Sequence, residues 1–167
     1  GKVYLSRRTR RRYNSGVYRL SINQAFNSVI EACSQPRDYE PGTWITGDMK
    51  EAYTRLHRMG HAHSLEVWQE DELAGGIYGL AIGSVFFGES MFSRQTDASK
   101  IALVALCRLL DSHDDALLDC QVGNPHLFSM GAEEISREAF QARLEAGLNH
   151  QDSSVDWTHP TDFEERW

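Results

Sequence analysis

Residues 85–94 read Val85-Phe86-Phe87-Gly88-Glu89-Ser90-Met91-Phe92-Ser93-Arg94. Residues 98–110 follow as Ala98-Ser99-Lys100-Ile101-Ala102-Leu103-Val104-Ala105-Leu106-Cys107-Arg108-Leu109-Leu110. After a polar turn the stretch closes on Leu117-Leu118-Asp119-Cys120-Gln121-Val122-Gly123-Asn124. This reads as strand, crossover helix and strand. Two strands joined by a helix are expected to be parallel, with a right-handed connection. The helix is apolar nearly all round, so it must be covered on most sides. Polar side chains stand at the ends of the two apolar strands, at the rim of a greasy interior.

Reading outward, the preceding runs are β-like. Residues 64–69 and 73–82 alternate as strands and are joined by the acidic turn Glu70-Asp71-Glu72. Residues 17–22 form an earlier strand. A helix is expected over 24–33 with Asn23 as its N-cap, and a second over 48–59 with Gly60 as its stop. Residues 34–43, with Pro36, Pro41 and Gly42, read as a loop. Thr96 or Asp97 is expected to cap the apolar helix. The last elements are a strand over 116–122, a short helical piece near 125–130 and a helix over 136–148. The fold class is α+β, a mixed sheet flanked by helices in a single domain. Residues 1–20 read as a basic arm, 21–148 as the domain and 149–167 as a partly disordered acidic tail.

Size and composition set outer limits. A chain of 167 residues can bury a real core. No apolar run approaches the roughly 20 residues that span a bilayer, and no signal peptide is visible. Cys33, Cys107 and Cys120 are odd in number and widely spaced. They fit a reducing cytoplasm and small buried side chains better than disulfides or a metal site. Charge is uneven. Residues 1–30 carry seven bases and no acid, although the whole chain has a net charge of −7. Such a chain can hold one phosphate-rich ligand locally while the rest of its surface repels it. A solvated basic tail is the plainer account.

The candidate chemistry lies at the strand ends. Asp119 and Gln121 are two apart on a strand and are expected on one face. They form either a pair that positions and deprotonates an amine, or a turn-capping Asp beside an exposed Gln. Glu89 and Met91 are expected to share a face likewise. Asn124 precedes Pro125 as a turn residue near the same end. Trp44 is a binding platform or core. His57, His61 and His63 straddle a helix end, with no acid at ligand spacing, so a metal is not expected. There is no phosphate-binding Walker loop, dinucleotide GxGxxG or nucleophile elbow.

At these residues the chain resembles the leucyl/phenylalanyl-tRNA–protein transferases. The similarity is carried by Gly42-Thr43-Trp44-Ile45-Thr46, Glu51-Ala52-Tyr53, residues 60–68, Gly75-Gly76-Ile77-Tyr78-Gly79, residues 88–94, Ala98-Ser99-Lys100 and Asp119-Cys120-Gln121-Val122. It is specific across 42–135 and weaker back to about residue 5. The resemblance implies a GNAT-like fold and transfer of Leu or Phe from charged tRNA to a protein N-terminus. It implies that Asp119, Gln121 and Glu89 are catalytic, that Asn124 helps hold the reacting groups, and that Trp44 packs near the terminal adenosine. It implies an apolar pocket for the amino acid drawn from Ile77, Phe86, Met91, Leu103, Leu106 and Leu118. It also implies that Arg7, Arg8, Arg10, Arg11 and Arg12 bind tRNA. Aminoacyl-tRNA would be the co-substrate, with no separate cofactor and no membrane.

The family's additional N-terminal domain and its C-terminal extension are not recognised here. A small-molecule or peptide amine therefore stands as an alternative acceptor. An acyl-CoA N-acetyltransferase is a rival on the same fold, but the pyrophosphate loop it needs is missing before Ala98. A non-catalytic RNA-binding module is the other rival.

Overall fold

Apolar alternation along residues 62–93 produces three long strands. The computed structural model describes residues 3–36, 44–111, 116–149 and 155–158. In it the strands are β2 (Ala62–Gln69), β3 (Glu72–Ile82) and β4 (Val85–Ser93), with β1 (Arg19–Ile22) beside β2 and β5 (Leu117–Asp119) beside β4. The sheet runs in the order β1-β2-β3-β4-β5. Every neighbouring pair is antiparallel except β4 and β5, which are parallel. The crossover that makes them parallel is helix α4 (Ala98–Asp111). The strand–helix–strand expectation therefore holds, and the architecture is the mixed α+β sheet read from the sequence.

Each face of the sheet has its own core. On one side α4 buries Ile101, Leu103, Leu106 and Leu110 against Leu65, Val67, Ile77 and Phe86. Gly75 lets the start of α4 come close, because a Cβ there would lie 2.7 Å from Ala98 Cβ. On the other side, α2 (Phe26–Cys33) and α3 (Gly47–Arg58) cover Tyr78, Leu80 and Phe92. The remaining helices are α1 (Arg7–Tyr13), α5 (Pro125–Ser129) and α6 (Arg137–Asn149). Cys33, Cys107 and Cys120 are free thiols. Burial pushes the Cys107 thiol up to about 12, so it stays protonated and inert.

Several local expectations are corrected. Asn23 does not cap α2, whose N-cap position is Ala25. Asn23 instead takes a left-handed conformation, with φ 58°. Its amide reaches His63 Nδ1 and the backbone of Ser64 and Trp157. The capping task falls to Glu66, distant in sequence. Its carboxylate accepts from the backbone N–H of Gln24 and Ala25 and from the hydroxyls of Ser21 and Ser64. A buried carboxylate meeting four donors is held at a helix N-terminus by hydrogen bonds and dipole together. Asp97 does hold the expected N-cap position of α4, its carbonyl accepting from Ile101 N–H at 2.9 Å, but with a left-handed backbone, φ 62°.

Both chain ends also carry structure. Arg7–Tyr13 is a helix, N-capped by Ser6, with Thr9 buried on its inner face. At the other end, Val155 is buried in the α4-side core and Trp157 stacks on His63 at 4.3 Å. The rest of the expected loop, including Gly42 and Thr43, and most of the expected acidic tail lie outside the described residues. Among the described residues, no helix is long and apolar enough to cross a membrane.

Candidate active site

The site forms where β4 and β5 stop pairing. Their register runs Val85↔Leu117, Phe86↔Leu118 and Phe87↔Asp119, and it ends there although β4 continues to Ser93. A β-bulge explains the parting. Tyr78 faces Ser90 and Gly79 faces Gly88, which leaves Glu89 as the extra residue of β4. A bulge bends its strand and re-aims a side chain. Gly79 is required opposite it, because a Cβ there would fall 2.0 Å from the Phe87 carbonyl oxygen.

The bulge corrects the reading that Glu89 and Met91 share a face. Glu89 turns to the α3 side, where its carboxylate lies near the Tyr53 hydroxyl. Burial, then that carboxylate, push the Tyr53 hydroxyl up. Met91 stays opposite Ile77 and packs on the α4-side core. Tyr78 stands edge-on to Tyr53 at 5.4 Å between ring centres, with its own hydroxyl fully buried. Tyr53 was visible in the sequence only as part of the Glu-Ala-Tyr match. Its contact with Glu89 depends on the bulge, which no local pattern announced.

Asp119 and Gln121 are brought together, by a different device from the one expected. β5 ends at Asp119, and Gln121 is left-handed, with φ 61°. The strand therefore does not extend to residue 122. Instead, the Gln121 backbone N–H donates to Asp119 Oδ1 at 2.7 Å, an Asx-type turn. The Gln121 side-chain amide then donates to the Gly88 carbonyl at 3.2 Å. This bond ties the end of β5 to β4 at the residue before Glu89. The Asp119 carboxylate and the Gln121 amide thus sit together where β5 leaves β4.

The six apolar side chains read as an amino-acid pocket do converge. Ile77, Phe86, Leu103 and Leu106 are buried in one cluster, with Met91 and Leu118 packed against it. In this conformation they fill the interior, and Phe86 is only 1% exposed. A cleft of about 320 Å³ lies elsewhere, lined by residues 23–28 with Thr54, His57 and Arg58. None of the site residues borders it. Asn124 is the N-cap of α5, its Oδ1 accepting from Leu127 N–H at 3.0 Å. That is the turn role, and it orders the segment leaving Gln121. Trp44 is 53% exposed, so it is a surface ring and not core. The five arginines lie on α1, with Arg7, Arg8, Arg10 and Arg11 exposed and Arg12 half-buried.

The fold is similar to that of an aminoglycoside acetyltransferase from an uncultured soil metagenomic sample. The TM-score is 0.51 at 10% identity, over 73% of this chain and 93% of that one. That likeness supports the GNAT-like architecture and nothing finer. Sequence relatives are far nearer. The leucyl/phenylalanyl-tRNA–protein transferase of Stutzerimonas stutzeri (strain A1501) is 51% identical over 156 residues, covering 93% of this chain and 69% of that protein. That of Cellvibrio japonicus (strain Ueda107) is 47% identical over 165 residues, covering 98% of this chain and 70% of that protein. The family model described as leucyl/phenylalanyl-tRNA protein transferase matches residues 1–145. The chain therefore belongs to the leucyl/phenylalanyl-tRNA–protein transferase family.

Proposed function

We propose that this chain transfers a leucyl or phenylalanyl group from tRNA to the α-amino group of a protein. The family match over residues 1–145 supports the reaction class. The observation that carries the chemistry is the Asp119–Gln121–Gly88 linkage at the open end of β4 and β5.

The donor is an activated ester, so the protein mainly aligns and polarises. The acceptor amine must lose its proton to attack, and an α-amino group titrates near 8. Once that proton has gone to solvent, the neutral nitrogen attacks the ester carbonyl carbon and Asp119 receives one of its two remaining N–H protons. The new C–N bond forms, the bond to the ribose oxygen breaks, and the proton passes on to that leaving oxygen. Gln121 fixes the Asp119 carboxylate through its backbone N–H and holds β5 against β4 through its side chain. Glu89, oriented by Tyr53, holds the reacting amino groups. Ile77, Phe86, Met91, Leu103, Leu106 and Leu118 receive the donor side chain, which requires the packed cluster to yield on binding. Size selection there is limited, since one methylene is worth about 1–3 kcal/mol. Trp44 serves as a platform for the terminal adenosine. Asn124 keeps the segment after Gln121 in place. Arg7, Arg8, Arg10, Arg11 and Arg12 meet RNA phosphates, which supply affinity without reading sequence. Aminoacyl-tRNA is the co-substrate, and the ester needs no further activation. A reaction among these partners belongs in the cytoplasm.

The test is incubation with radiolabelled Leu-tRNA or Phe-tRNA and either a peptide with a basic N-terminal residue or a panel of small amines. Labelled peptide is expected. Label in a small amine alone would replace the protein acceptor with a biosynthetic one. Binding of charged tRNA without any transfer would overturn the enzymatic reading.

A further inference from the structure

Asp97 sits directly before α4, in the left-handed region at φ 62°. Its side chain is 11% exposed, and its buried Oδ2 has no hydrogen-bond partner among the described residues. Three cations surround it. Arg12 Nε lies 3.6 Å and Arg8 Nε 3.9 Å from Oδ2, and Lys100 Nζ lies 3.3 Å from Oδ1. Arg8 and Arg12 are one turn apart on α1, so one side of that helix faces the carboxylate. Arg7, Arg10 and Arg11 remain at the surface. The five arginines thus form two groups with different surroundings. Around Asp97, three positive charges meet one negative charge, so the cluster keeps an excess that suits an anion.

We propose that Asp97 is a positioning residue for RNA: it gathers Arg8, Arg12 and Lys100 into one cluster that receives a backbone phosphate, an inference resting on the tRNA-dependent reading above. The cluster is tied to the transfer site through α5. Tyr4 N–H, just before α1, donates to the Met130 carbonyl at the end of α5 at 2.8 Å. α5 starts at Pro125, directly after the segment that carries Gln121. A phosphate held at Arg8, Arg12 and Lys100 is therefore held in fixed relation to Asp119. A carboxylate among cations lowers net attraction for RNA. Its contribution is orientation, so affinity and rate respond differently to its loss.

The test is Asp97→Asn, which removes the charge, keeps the shape and tolerates a left-handed backbone. Two donors are compared, Leu-tRNA and leucyl-adenosine, which carries the same ester without backbone phosphates. Expected is a fall of about tenfold or more in kcat/KM for Leu-tRNA, as misalignment produces. The leucyl-adenosine reaction should be unchanged, and tRNA binding should not weaken by the same factor. Equal losses on both donors would assign Asp97 to the fold alone and overturn the proposal. So would unchanged transfer from Leu-tRNA. A wild-type chain that transfers from neither donor would remove the tRNA-dependent reading itself, and this inference with it.

Discussion

Acidification should destabilise this protein through one histidine, and the size of the effect follows from its surroundings. His63 is 6% exposed, between the Trp157 ring at 4.3 Å and the core. Its Nε2 lies 3.1 Å from the Gly60 carbonyl and its Nδ1 3.0 Å from the Asn23 amide nitrogen. The carbonyl fixes the proton on Nε2, so Nδ1 accepts from Asn23 and the neutral ring satisfies both partners. Protonation would set a second N–H against the Asn23 amide, in a buried site beside His57 and His61. Burial, with those two imidazoles, lowers the His63 pKa from 6.5 to about 4, against the pull of the Gly60 carbonyl. Because the folded value is depressed, the unfolded chain binds more protons between these limits. The contribution is complete above 6.5 and disappears as pH falls toward 4. Integrating that difference gives a loss of about 2 kcal/mol by pH 5 and about 3 kcal/mol by pH 4. Urea unfolding of the wild type and of His63→Phe at pH 7 and pH 5 measures it. Phe keeps a ring against Trp157 and cannot titrate. The wild type should lose about 2 kcal/mol more than the variant across that interval. Equal losses would show that His63 titrates normally in the folded chain, and the reasoning from burial and tautomer would be wrong.

Other expectations concern the site and its frame. Asp119→Asn should lower transfer by about 10²–10⁴-fold if Asp119 acts as base, with the unfolding midpoint unchanged; steady-state transfer assays decide this. Gln121→Ala should lower transfer as well, and undiminished transfer would take the Gly88 tie out of the mechanism. Glu66→Gln places an amide N–H against a backbone donor of α2, so a loss of about 1–3 kcal/mol is expected in urea unfolding. Binding of charged tRNA should weaken with salt. With Arg7, Arg10 and Arg11 each meeting one phosphate and the Arg8–Arg12–Lys100 cluster a fourth, log K should fall with log salt at a slope of about −3 to −4. A flat salt dependence would remove the arginines from that role.

Much of the frame was legible in order. Alternation along 64–93 and the all-round apolar helix at 98–110 dictate long strands and a covered crossover, because those periods match only one way of burying side chains. The parallel placement of β5 beside β4 followed from the crossover, and the specific motif residues led to the family. The charge asymmetry of residues 1–30 also marked a separate basic surface. What failed was local. Asn23 looked like a cap because Asn is a cap residue, yet it also tolerates a left-handed backbone, and tertiary contacts chose that use.

The sequence by itself determined the long central strands and the covered crossover helix, which way β5 must run, and which residue types stand at the strand ends. Only the tertiary structure decided how those ends are built. The Glu89 bulge, the turn that brings Gln121 onto Asp119, the Glu66 cap of α2 and the Arg8–Arg12–Lys100 grouping all join residues through contacts between separate elements. Such contacts carry no periodic signal along the chain. They exist because buried polar groups and charges must find partners in space, wherever the packed sheet and helices happen to bring them.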